Sequence, residues 1–144
     1  MTPVALVVAG LLSALPPTMT AATVQAPDSP IRLDSAAIAN VGSAPPVLIY
    51  SATNLTDDAF EQFTVIAFVF TAEGRLKARQ TAPARRTLDP RGNKYSTLVL
   101  DGSPIEATDV VVVGVNQAQH ANSEAWWRGD VQPLAEQAAK SRKR

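Results

Sequence analysis

The chain has 144 residues, a formal net charge of zero, 46% hydrophobic and 18% charged residues, and no Cys. That length is one domain's worth, and the lack of Cys excludes a disulfide framework, a thiolate zinc site and a catalytic Cys. The balanced charge sets up no field that demands nucleic acid, a membrane surface or an acidic partner.

In chain order, Val4 to Leu15 is a short apolar run, followed by Pro16 and Pro17 and then by the small residues Thr20, Ala21 and Ala22. This is the pattern of a secretory signal over residues 1–22 with cleavage after Ala22. The run is shorter than the ~20 apolar residues of a spanning helix, so the expectation is a periplasmic or secreted chain with no membrane span after processing. No Lys or Arg precedes the run, the first basic residue being Arg32, which points to a start upstream of Met1. No Cys follows it to carry a lipid.

Residues 23–30 read as a loose lead-in, rich in Ala, Pro, Ser and Asp. Ile31-Arg32-Leu33-Asp34-Ser35 alternates apolar and polar, as a half-buried strand does, and continues with a kink towards Ile38 or Val41. Gly42 to Pro46 is a loop. Val47 to Asn54 is a second strand, and Leu55-Thr56-Asp57-Asp58 turns into Phe60 to Phe70. That stretch is rich in aromatic and β-branched residues without Gly or Pro, the composition of a central strand. Within it Ile66 and Phe68 are expected to face the core against Val111, Val113 and Val115, with Val65, Ala67 and Val69 outside. Thr71 to Gly74 is a tight turn. Arg75 to Thr81 alternates, with Leu76 and Ala78 on one side and Arg75, Lys77 and Arg79 on the other. After a Pro-rich loop over 83–92 come strands at Lys94 to Leu100, Val110 to Gln117 and Glu124 to Arg128. Val131 to Lys140 suits a short helix with Asp130 as its N-cap, and Ser141 to Arg144 is a basic tail. About seven short strands with no helix between them predict an all-β fold over residues 31–130, an antiparallel immunoglobulin-like β-sandwich, with a Greek-key variant second.

Asn54-Leu55-Thr56-Asp57, Phe63-Thr64-Val65 and Phe70-Thr71-Ala72-Glu73-Gly74-Arg75-Leu76 resemble the motifs of small bacterial extracytoplasmic immunoglobulin-like or fibronectin-type domains. Thr71 stands where that pattern usually has Asp. The Val-rich strand with Trp126-Trp127-Arg128-Gly129-Asp130 is similar to the closing hairpin of such domains. The resemblance spans most of residues 31–130 and implies a fold and a compartment, not an activity.

Candidate chemistry is sparse. His120, the single His, has no neighbouring carboxylate and nucleophile to work with and reads as an exposed turn residue. Asp57, Asp58, Glu61, Asp89, Asp101, Glu106 and Asp109 fall in turns; a calcium site needs several converging oxygens, and no DxDxDG spacing exists. A paired-carboxylate hydrolase needs only that two acids meet in space, but nothing marks a cleft. Arg75, Lys77, Arg79, Arg85, Arg86, Arg91 and Lys94 form a basic cluster, either a charged face protecting a strand edge or a surface for an anionic polymer. The aromatic interleaving of a single-strand nucleic-acid binder is missing there. Asn54-Leu55-Thr56 fits a glycosylation acceptor and Arg128-Gly129-Asp130 an adhesive tripeptide, both of which turn geometry also explains. Trp126 and Trp127 must point to opposite faces of a strand. One is expected to plug the sandwich and the other to lie outside, either under the terminal helix through Leu134 and Ala138 or open to a partner.

These readings converge on a secreted or periplasmic binding or structural module without catalysis or cofactor. Its partner is another protein or a component of the cell envelope, met through Trp126, Trp127 or the row Arg75, Lys77, Arg79. The alternatives are a small extracytoplasmic hydrolase and an anionic-surface binder using the basic cluster over 75–94.

Overall fold

The computed structural model describes residues 18–42, 45–84, 87–102 and 104–142, the side chains of 82–84 excepted. The apolar run at 4–15, Arg85, Arg86 and the last two residues of the basic tail lie outside them. The described residues form nine strands and one helix: β1 (Thr18–Thr20), β2 (Ala22–Thr23), β3 (Ile31–Ala39), β4 (Val47–Asn54), β5 (Phe60–Phe70), β6 (Leu76–Ala84), β7 (Asn93–Val99), β8 (Val110–His120), β9 (Trp126–Arg128) and α1 (Gln132–Arg142). One sheet runs β1-β3-β4-β7. The other runs β2-β8-β5-β6, with β9 on the same edge of β8 as β2.

The two sheets face each other across one apolar core. Ile31, Leu33, Ala36 and Ile38 of β3 and Leu48, Tyr50 and Ala52 of β4 meet Phe63, Val65, Ala67 and Val69 of β5 and Val111, Val113 and Val115 of β8. This is an all-β sandwich in which β3 pairs with β4 in one sheet and β5 with β6 in the other, and the chain crosses between the sheets from β4 to β5, from β6 to β7 and from β7 to β8. The pairing of β2 with β8 is parallel, so the second sheet is mixed.

The fold begins before Ile31. β1 pairs antiparallel with β3, Ala21 is buried in the core, and β2 crosses to the opposite sheet and pairs with Val112 and Val113. The expected lead-in over 23–30 is therefore part of the packed structure. Val24 donates to the Val113 carbonyl, Ala26 is buried, and the Ser29 hydroxyl donates to the Ile31 carbonyl.

The central strand is buried on both faces, and the face expected inward lies outward. Val65, Ala67 and Val69 point into the sandwich. Ile66, Phe68 and Phe70 point away from it, onto a second apolar layer of Val112, Ala26, Val131, Ala135 and Ala139. The reason is α1. A helix of eleven residues does not stand alone in water, and this one docks on that outer face through Ala135 and Ala139, whose small side chains let it sit close above Phe68 and Phe70. Two aromatic rings that would crowd the space between two sheets are accommodated under a helix instead. Asp130 Oδ1 accepts from the Gln132 N–H as the N-cap, and Lys140 and Arg142 complement the dipole at the other end.

Bulges set which residues face which layer. An extra residue in one strand reverses the alternation beyond it. Asp34 is the extra residue in β3, so the inward set changes from Ile31 and Leu33 to Ala36 and Ile38. Glu61 in β5 and Asn116 in β8 act alike, which brings both Phe60 and Ala118 inward. Lys77 is the extra residue in β6: Ala78 pairs with Val69 and Leu76 with Phe70, so Leu76 and Ala78 do not share a face as the sequence suggests. The open side between β6 and β7 is closed by Gln80, whose amide donates to the Val99 carbonyl and accepts from the Asp101 N–H.

Two loops are locked together at one end of the sandwich by Asn54, which has no solvent exposure. Its Nδ2 donates to the carbonyls of Asp58 at 2.7 Å and Asp89 at 3.0 Å, while its Oδ1 accepts from the Thr56 N–H and hydroxyl at 2.9 and 2.8 Å. The Arg91 N–H donates to the Thr56 carbonyl and its Nε to Asp57. Phe60 and Leu88 exchange backbone hydrogen bonds below them.

Candidate functional site

The outer face of the second sheet changes character along β5. Phe70 and Phe68 lie under α1; Ile66 sits at the helix start; Thr64 and Gln62 follow, beyond the helix. Register carries the same change onto β8 and β9. Thr64 pairs with Gln117 and Gln117 with Arg128; Gln62 pairs with Gln119 and Gln119 with Trp126. The uncovered end is thus a polar ladder joined side chain to side chain. Gln62 Nε2 donates to Gln119 Oε1 at 2.7 Å, Gln117 Nε2 to Thr64 Oγ1 at 3.1 Å, and Arg128 Nε to Gln117 Oε1 at 3.4 Å.

The two tryptophans part as strand geometry requires. Trp127, opposite the buried Ala118, packs against both apolar layers at the sheet edge. Trp126 belongs to neither layer. It is half-buried on the ladder side, with the Arg128 guanidinium carbon 5.3 Å from its ring centroid, a cation–π contact. The helix docks on Phe68 and Phe70, so it does not cover Trp126. Leu134 and Ala138 flank the helix contact rather than forming its centre.

Where the helix begins, a cavity of about 150 Å³ opens between sheet and helix, lined by Ile66, Phe68, Arg79, Asn116, Gly129, Asp130, Val131 and Gln132. Arg79 reaches it from β6, its Nη1 donating to Gln132 Oε1 at 2.8 Å. Asn116 comes from the β8 bulge. Its Oδ1 is buried and accepts no hydrogen bond, unusual for a buried carbonyl oxygen. Sequence reasoning passed over Asn116, because a polar residue in a Val-rich strand gives no signal until the bulge is seen.

The remaining candidates are dispersed. In the basic row, Lys77 donates to the Pro104 carbonyl and to the buried carboxylate of Asp109, at 2.9 and 2.7 Å, and Arg79 turns to the helix. Arg91 pairs with Asp57, and Lys94 donates to the Thr87 carbonyl. These cations do not form one row, because the bulge at Lys77 breaks the alternation. The loop that arrives beside Asp57 and Asp58 brings Arg91, a cation, where a calcium site needs oxygens; the Arg91 hydrogen bond and charge hold the Asp57 carboxyl below its ordinary pKa and raise that of Arg91. Among the described residues no group of three or more His, Asp or Glu is placed to hold a metal ion. His120 ends β8 rather than lying in the turn, half-buried with its ring 4.7 Å from that of Phe60. The Asn54 amide is spent on loop carbonyls. In the tripeptide, Arg128 lies over Trp126 and Asp130 caps the helix. A Cβ on Gly129 would come within 2.8 Å of the Trp127 ring, so a larger residue there would force the ring to move.

Among the described residues no helix is long and apolar enough to cross a membrane. Comparison with protein-family models, with curated proteins and with solved structures finds no match.

Proposed function

We propose that the chain is an extracytoplasmic, non-catalytic binding module that meets a macromolecular partner through the uncovered end of the second sheet. The observation that carries this reading is Trp126. It is partly exposed, outside both apolar layers, paired with Arg128 and set beside the hydrogen-bonded side chains of Gln62, Gln119 and Gln117. Trp and Arg are the residues that most often dominate binding energy at interfaces. A flat face of Gln, Thr, Trp and Arg, already cross-linked by its own hydrogen bonds, loses little side-chain freedom on binding. The extracytoplasmic part rests on the short apolar run at 4–15 and the two prolines that end it. Most described cations of the basic cluster are engaged within the chain, which weighs against the anionic-surface alternative.

The test is a photo-reactive amino acid placed at Trp126 and, separately, at Tyr95 on the outer face of the opposite sheet, in cells expressing the full chain. The reading expects a covalent adduct from position 126, found outside the cytoplasm and lost on adding Arg128→Ala. No adduct at 126, or an adduct confined to the cytoplasm, overturns it.

A further inference from the structure

We infer that the cavity at the start of α1 is a binding site for a small zwitterion, a free α-amino acid with a small apolar side chain. This goes beyond the surface assigned to Trp126 and does not depend on it. The cavity has about 150 Å³ of room, where one buried water needs roughly 10–15 Å³. Its floor is apolar, formed by Ile66, Phe68 and Val131. Its walls carry one cation, Arg79, and one anion, Asp130, which make no ion pair with each other or with any other described residue. Gln132 stands between them: its side-chain oxygen accepts from Arg79, and its backbone N–H donates to Asp130 Oδ1. Opposite charges kept apart across one small cavity match a ligand that carries an ammonium and a carboxylate on the same carbon.

The third polar group settles the sense of the fit. Asn116 Oδ1 is a buried acceptor with no donor among the described residues, and such an oxygen forfeits the hydrogen bonds water would give it. An ammonium has three N–H donors and no acceptor, so it can serve both the Asp130 carboxylate and the Asn116 carbonyl oxygen. The ligand carboxylate then falls to Arg79, whose planar fork suits two parallel hydrogen bonds. Ile66, Phe68 and Val131 close the inner side of the cavity, which leaves room for a small side chain such as a methyl or isopropyl group. A plain carboxylate leaves Asn116 unserved, and a plain amine leaves Arg79 unserved.

Thermal unfolding of the full chain tests this with L-alanine and L-valine as probes at millimolar concentration, against propionate and ethylamine as the two halves. Binding to the folded state alone raises the melting temperature with ligand concentration. The expected result is a rise with either amino acid and none with either half. Asn116→Ala removes an unserved buried oxygen, so it should leave the ligand-free melting temperature unchanged or higher while weakening the amino-acid response at least about tenfold in concentration. Arg79→Gln should weaken it similarly, and Trp126→Ala should leave it intact, which separates this site from the partner surface. No rise with either amino acid, or an equal rise with propionate, overturns the inference. So does an unchanged response in Asn116→Ala.

Discussion

Replacing Asn54 probes the joint between the two loops that cap one end of the sandwich. The side chain is fully buried and makes five hydrogen bonds to four residues, the longest of them 3.4 Å to the Leu88 carbonyl. At roughly 1 kcal/mol net for each bond, with water reaching some of the freed loop carbonyls, Asn54→Ala should cost about 2–4 kcal/mol. Urea unfolding followed by circular dichroism measures it as a lower midpoint at unchanged slope. Asn54→Asp is the sharper variant. It keeps the acceptor used by Thr56 but turns the donor into a carboxylate oxygen facing the carbonyls of Asp58 and Asp89. That site favours the protonated acid, so the folded-state pKa is raised. Its deficit against the parent should therefore be largest at pH 7 and shrink as the pH falls through the folded-state pKa. An Ala variant within about 0.5 kcal/mol of the parent, the range of ordinary surface changes, would refute the joint. An Asp variant with a pH-independent deficit would refute the account of the donor.

Two further outcomes follow from the packing and the charges. Phe68→Ala, at a side chain with no exposure between β5 and α1, should cost about 3–5 kcal/mol and expose the amides of α1 to hydrogen exchange; protected helix amides would mean that the helix does not depend on that ring. Burial raises the pKa of Asp34, but hydrogen bonds from Thr53, Arg32 and Asn93 and the Arg32 charge outweigh it and hold the carboxyl below its ordinary value. Its contribution is thus present above the ordinary carboxylate pKa of about 4 and lost as the pH falls through the lower folded-state value. The parent's melting temperature should fall more between pH 6 and pH 2 (about the span of carboxylate titration) than that of Asp34→Asn, and equal falls would contradict this.

The class of fold and most of its strands could be read from the sequence because each long strand carries a strong local signal. Phe60–Phe70 is aromatic and β-branched throughout, Val110–His120 opens on four valines, and Asp130 marks the helix start. What could not be read was which way the residues face. Period-2 reasoning assumes an unbroken strand, and Asp34, Glu61, Lys77 and Asn116 each break one. The reversal at Lys77 undid both the basic row and the pairing of Leu76 with Ala78. The inward face of β5 was misjudged for another reason. Sequence alone does not show that a helix rich in Ala covers the outer face of the sheet, so the larger residues appeared to belong between the sheets. Trp126 was legible as a candidate, since adjacent residues in a strand must diverge. Asn116 was not, because its interest lies in a missing partner, which only three-dimensional packing exposes.

The N-terminal strands bear on both the fold and the site. β1 holds one edge of the first sheet, Ala21 enters the core, and β2 places Val24 and Ala26 against the second sheet. There a Cβ on Gly114 would stand 3.1 Å from Val24 Cγ2 and 3.5 Å from Val131 Cγ2, so this segment and the start of α1 press on the same point of β8. Ala26 also lies within reach of Gly129, the residue that leads β9 into the helix. Cleavage after Ala22 would remove β1, Ala21 and half of β2, leaving Val24 and Ala26 without the crossing that holds them there. Cleavage ahead of Thr18 would keep both the sandwich and the support beneath the cavity. The small residues that make 20–22 acceptable to a peptidase are the same ones that let this segment pass closely between two sheets, so their presence in the sequence does not by itself distinguish a cleavage site from a strand crossing.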